Sequence, residues 1–171
     1  MNKQIEAAPL IAVFDSTMDD LINLLSTFSD NEVNIIPYEG SWTPGQMAAH
    51  VHKVTTGFID MLNGPVKDTH RQTDEYAAQI KEDFLNYSIH MESPEFVLPD
   101  IKDYDRGGLI TSLINAREDL SALVKSVDLS KTCTSFKPGP EYLTRYEALT
   151  FVTYHNQRHI WQLNRMAAAL K

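Results

Sequence analysis

The sequence predicts an all-α protein: a four-helix bundle with a short extra helix in the connection between its second and third long helices. Three observations carry that prediction. Four long stretches repeat apolar residues at intervals of three and four, the period of one face of a helix. Alternation of the strand kind is scarce. The stretch Tyr142–Met166 contains neither glycine nor proline, so it can run as one unbroken helix.

The first stripe lies between Leu10 and Phe28, where Ile11, Phe14, Met18, Leu21, Leu25 and Phe28 share a face and Asp19, Asp20 and Ser26 fall off it. This helix is entered near Lys3 or shortly after Pro9. The segment Asp30–Gly40 follows as a loop with a short extended look. Ser41-Trp-Thr-Pro-Gly-Gln46 is then a strong helix start. Thr43 is a good N-cap, Pro44 fits the first helical position, and Gln46 completes a capping box. The second helix runs to about Leu62, with Met47, His50, Val54, Phe58 and Met61 on its apolar row. Gly57 on this helix would let another backbone approach closely, and Trp42 is read as a hydrophobic plug at the helix mouth.

From Pro65 to Asp103 the pattern is weakest. Thr73–Tyr87 can form a helix with Tyr76, Ile80 and Phe84 as its stripe, and Pro94 and Pro99 mark an irregular segment. This long connection is expected to cross over an end of the bundle. Asp105-Arg-Gly-Gly opens the next helix. Its stripe is Leu109, Leu113, Ala116, Leu120 and Leu123, widened by Ile110, Ile114 and Val124, and it ends near Ser126. A loop containing Pro138-Gly-Pro140 feeds the last helix, where Glu141 suits the positive end of the helix dipole. No internal repeat or linker divides the chain, so residues 1–171 are read as a single domain, a length that supports a core able to fold unaided.

The last helix carries the chemistry. Its apolar row reads Ala148, Phe151, Val152, His155, His159, Leu163, Met166. Two imidazoles one turn apart on a buried face need a partner for their polar nitrogens, and His at i and i+4 is a common pair of metal ligands. His50 lies on the buried stripe of the second helix by its own periodicity, which makes three inward imidazoles. Three neutral histidines with an open further position are the pattern of a catalytic rather than a structural divalent site. His52 points elsewhere, and His70 and His90 sit in polar surroundings.

Composition narrows the partners. The net charge is −8 with no basic run, which disfavours nucleic acid. Cys133 is the only cysteine, so no internal disulfide can form. No apolar run reaches membrane-spanning length and the N-terminus lacks a signal-peptide pattern, so a soluble cytoplasmic protein with no membrane partner is expected.

The segments Trp42-Thr-Pro-Gly-Gln-Met-Ala-Ala-His50 and Leu143-Thr-Arg-Tyr-Glu-Ala-Leu-Thr-Phe-Val-Thr-Tyr-His155-Asn-Gln-Arg-His159-Ile-Trp-Gln162, with the order of helices and the length, resemble the DinB-like (DinB/YfiT-like) family of four-helix-bundle metalloproteins. The resemblance implies that His50, His155 and His159 bind a divalent metal ion, usually zinc or nickel, and that the protein is a homodimer. Family members include thiol-dependent S-transferases and a mycothiol-dependent isomerase. The implied function is a metal-dependent thiol transferase or hydrolase acting on a small-molecule substrate, with a low-molecular-weight thiol as a candidate cosubstrate. The alternative is a non-catalytic metal-binding module with a stress-response or ligand-sensing role, and after it a plain bundle with core histidines. An open metal position facing a pocket discriminates the first two.

His155-Asn-Gln-Arg-His159 lacks the glutamate base of His-Glu-x-x-His proteases, which disfavours peptidase chemistry. Gln162 is read as a hydrogen-bonding group behind the ligands, with an ordinary polar surface residue as an equal alternative. Arg158 is expected in a surface salt bridge, Cys133 as a solvated loop residue, and Tyr146 and Tyr154 either lining a pocket or packing. No side chain is assigned as catalytic.

Overall fold

The structure, a computed structural model, describes residues 6–171. Four long helices form the bundle: α1 (Ala8–Ser26), α2 (Pro44–Asn63), α4 (Arg106–Ser126) and α5 (Arg145–Leu170). The shorter α3 (Ala77–Leu85) lies in the connection between α2 and α4, as the sequence predicts. Pro9 sits in the first turn of α1, where its missing N–H is no loss. An entry near Lys3 falls outside the described residues. A 3₁₀ turn over Glu32–Asn34 replaces the extended look expected before α2.

Packing follows the stripes. Phe14, Met18, Leu21 and Leu25 of α1 are fully buried, as are Leu113 and Leu120 of α4 and Leu149 and Leu163 of α5. On α4 the buried position is Val124 rather than Leu123, and Ile114 is exposed, so the stripe is narrower than the sequence suggests. Helices α1 and α2 each pack against both α4 and α5, which places α1 and α2 across the bundle from one another. The chain ends fix the directions. Arg145 at the start of α5 donates to Leu62 O at the end of α2, at 2.9 Å. Asn34, just before α2, exchanges hydrogen bonds with the backbone of Tyr104, just before α4. Helices α2 and α4 therefore run parallel, and their connection must travel back along the bundle. It does so by docking α3 on the outer side of α5 rather than by crossing an end.

Two short strands, β1 (Val66–Lys67) and β2 (Thr132–Cys133), pair antiparallel with Val66 opposite Cys133. They tie the start of the long connection to the loop before α5. Cys133 is fully buried in this pair, not a solvated loop residue, and burial pushes its thiol up to about 11. Gly57 is not a point of close backbone approach, because a Cβ there would meet nothing within 4 Å. The close approach is at Gly45, where a Cβ would stand 2.8 Å from Val33 O.

The start of α5 also differs from expectation. Glu141 precedes the helix. Thr144 is the N-cap and Glu147 completes a capping box, a Thr-x-x-Glu pattern readable in the sequence. Glu147 is wholly buried, and its two oxygens take a bidentate fork from Arg71 at 2.6 Å each.

Candidate metal centre

The packing of α2 on α5 brings three imidazoles together. The capping box of Thr43 and Gln46 starts α2 so that His50 falls on its inner face, and the three-and-four period of α5 does the same for His155 and His159. All three are buried. The three Nε2 atoms stand 3.1, 3.1 and 3.0 Å from one another. The remaining histidines stay outside this group: His52 is half-buried, and His70 and His90 are exposed.

The other ring nitrogens decide what those contacts are. Nδ1 of His50 faces Val97 O at 2.8 Å, Nδ1 of His155 faces Asn156 Oδ1 at 2.9 Å, and Nδ1 of His159 faces Gln162 Oε1 at 2.6 Å. Each of these oxygens only accepts. The Asn156 amide is oriented by its own NH₂, which donates to Thr55 Oγ1 and Met18 Sδ at 3.3 Å each. Each Nδ1 therefore carries the proton, and each Nε2 presents a lone pair. Three mutually facing lone pairs cannot hydrogen-bond to one another. They repel unless a positive centre lies among them, and three imidazoles sharing one ion at about 2.0–2.1 Å have their nitrogens roughly 3 Å apart. The donor set fits a divalent ion.

Burial reinforces the neutral form. Desolvation, helped by the neighbouring imidazole of His50 and opposed by the bond to Asn156, lowers His155 to about 3. Desolvation and its two companions take His159 well below 6.5, and desolvation lowers His50 as well. Neutral imidazole is the metal-binding form. The same shifts predict a pH dependence of folding. An unfolded imidazole protonates near 6.5 while the folded one stays neutral down to about 3, so the unfolded state binds more protons throughout that window. Stability is then fully present above pH 6.5 and is lost as the pH falls, by up to about 1.4 kcal/mol per pH unit for each such group. In chelator-treated protein the thermal midpoint should drop between pH 7 and pH 5, above the ordinary carboxylate range. A flat midpoint across that interval would contradict the assignment of neutral, buried imidazoles.

The imidazoles line an open cleft of about 1400 Å³. Trp42 is half-buried, with its ring 5.0 Å from that of His50, and lines this cleft as well as closing the helix mouth. Tyr146 and Tyr154 pack against the core and do not line it. Arg158 departs most from expectation. It is buried, forms no salt bridge among the described residues, and its guanidinium donates to the carbonyls of Phe84, Asn86 and Ile89, fastening the end of α3 beside the cleft. Two groups behind the histidines went unassigned in the sequence. Asn156 sits on the same three-and-four row as Val152, His159 and Leu163, and that signal could have found it. The Val97 carbonyl belongs to an irregular segment and leaves no trace in residue identity.

A four-helix bundle with three convergent neutral imidazoles at the floor of a cleft is a bundle with a candidate metal centre. The chain belongs to the DinB superfamily, whose family model matches residues 14–163. In three dimensions it is similar to YfiT from Bacillus subtilis, with a TM-score of 0.64 and 15% sequence identity over 99% of this chain and 92% of that one. YfiT is described as a probable metal-dependent hydrolase with an unusual four-helix bundle topology, and at this identity the likeness concerns the fold. No curated protein matches the sequence. Among the described residues no helix is long and apolar enough to cross a membrane.

Proposed function

We propose that His50, His155 and His159 hold a divalent ion, zinc or nickel, and that the protein is a metal-dependent enzyme acting on a small molecule in the adjoining cleft. The observation that supports this reading is the convergence of three unprotonated Nε2 atoms on the floor of an accessible cleft rather than in a sealed core. Nitrogen donors of this kind suit zinc and nickel. Bound there, a divalent ion supplies positive charge that lowers the pKa of a small thiol or of water and polarises an electrophile.

The protein's own residues contribute position and environment. Val97, Asn156 and Gln162 fix the tautomer and orientation of the three rings. Arg158 holds the wall at the end of α3. Cys133 is buried outside the cleft with its thiol raised to about 11, which sets it aside as a nucleophile; on this reading the attacking group is a cosubstrate at the ion, either a small thiol or water.

Cobalt substitution distinguishes the two. The cobalt-loaded protein is titrated with a panel of small thiols while its absorbance is followed. A sulfur-to-cobalt charge-transfer band that is lost in His159→Ala identifies a thiol transferase. Thiols that leave the spectrum unchanged, with water still exchanging at the ion, favour a hydrolase. A site closed to both thiol and water would reject the catalytic reading and leave a structural or sensing role.

A further inference from the structure

The cleft continues well beyond the histidines. On α2 its lining extends to Met61, about 16 Å from His50 at 1.5 Å per residue. In that direction the wall is aromatic. Phe58 and Phe151 stack with centroids 4.9 Å apart, Phe84 meets Phe151 edge-on at 4.8 Å, and Phe84 lies 5.7 Å from the ring of His155. The three rings come from α2, α3 and α5 and hold one another in place, so this lobe is preformed.

Charge selects what can enter it. The two cationic side chains along the cleft, Lys53 and Arg158, are both committed. Lys53 donates to Leu98 O at 2.8 Å and to Asp100 at 3.2 Å, and Arg158 is spread over three backbone carbonyls. Asp60 and Glu92, which also line the cleft, are exposed carboxylates. Away from the ion proposed at the histidines, an anionic group entering the lobe would lose its hydration with no uncommitted Lys or Arg among the described lining residues to replace it. An apolar body would gain by leaving water.

Gly57 also lines the cleft, one residue before Phe58 on α2, and a Cβ there would meet nothing within 4 Å. Glycine inside a helix costs roughly 0.5–1 kcal/mol relative to alanine, so open space is bought here against helix stability. We propose that the lobe bounded by Phe58, Phe84 and Phe151 binds the uncharged, ring-sized apolar body of the substrate, with Gly57 leaving room for it. The metal-enzyme reading enters only in setting the reacting end toward the histidines.

The test uses zinc-loaded protein and two probes of one shape, 2-naphthylmethanol and naphthalene-2-sulfonate, measured by equilibrium dialysis. The neutral probe should bind at least tenfold more tightly than the sulfonate. Gly57→Phe, which fills the lobe from a helix surface, should weaken the neutral probe at least tenfold, while Gly57→Ala should change it little. Thermal melting of both variants checks that the fold is intact. Equal binding of the two probes, or a Gly57→Phe variant that folds and binds normally, would overturn the proposal. Elemental analysis of the same samples separates the two readings. Apolar binding without stoichiometric metal keeps the lobe and rejects the metal site, and metal without apolar binding does the reverse.

Discussion

Replacing His155 with alanine should abolish stoichiometric metal in the purified protein, and the triple alanine variant of His50, His155 and His159 should retain none. The expectation rests on geometry: the three Nε2 atoms lie within 3.1 Å of one another, and any ion among them touches all three rings. Removing one leaves a two-coordinate site on a cleft open to chelators and water. Asn156→Leu gives a graded version. It keeps all three rings but removes the acceptor that holds the proton on Nδ1 of His155. Losing such a partner costs metal affinity roughly 10–100-fold, so this variant should bind more weakly than wild type and more tightly than His155→Ala. Alanine at His52, His70 or His90 should change nothing. Elemental analysis after dialysis reads the stoichiometry and competition with a chromophoric chelator reads the affinity. A triple variant that keeps metal at wild-type affinity would remove the assignment.

The three imidazoles were legible because each lies on an apolar row whose period the helix dictates, and a polar ring on such a row has few reasons to be there. Gln162 follows His159 by three residues and so had to share its face. Arg158 was misread for an equally physical reason. It points away from the bundle axis, and on a free-standing four-helix bundle that side of α5 would meet water. Here α3 docks on it and turns the surface into an interior, so the guanidinium finds backbone carbonyls instead of a solvated carboxylate. The segment that does this, between Pro65 and Asp103, has the weakest periodicity in the chain, and its burial depends on contacts distant in sequence. The same holds for Cys133. Its loop is converted to a buried strand by pairing with Val66 and by the hydrogen bond from its N–H to Leu143 O at 2.9 Å.

That connection also carries the residue for which the largest loss of stability is expected. Arg71→Ala should lower the thermal midpoint by about 6–12 °C. Glu147 is wholly buried at the start of α5 and takes four N–H groups: two from the Arg71 fork at 2.6 Å, the backbone of Tyr76 at 2.8 Å and that of Thr144 at 2.9 Å. The guanidinium lies over the Tyr76 ring at 4.2 Å and is partly exposed, while the carboxylate is not. Truncating Arg71 therefore strands the anion. Removing one partner of a buried pair costs about 3–5 kcal/mol, and the lower end applies here because two backbone donors remain and water can reach the vacated side. For a chain of 171 residues each kcal/mol moves the midpoint about 2–4 °C. Glu147→Gln should cost less, because it leaves no buried charge and the freed Arg71 can turn to solvent. The order matters more than either value, since a pair that merely decorated the surface would give two small and equal shifts. Melting curves of the two variants decide it, and an Arg71→Ala midpoint within about 2 °C of wild type would mean that the fork does not anchor α3 to the helix that carries His155 and His159.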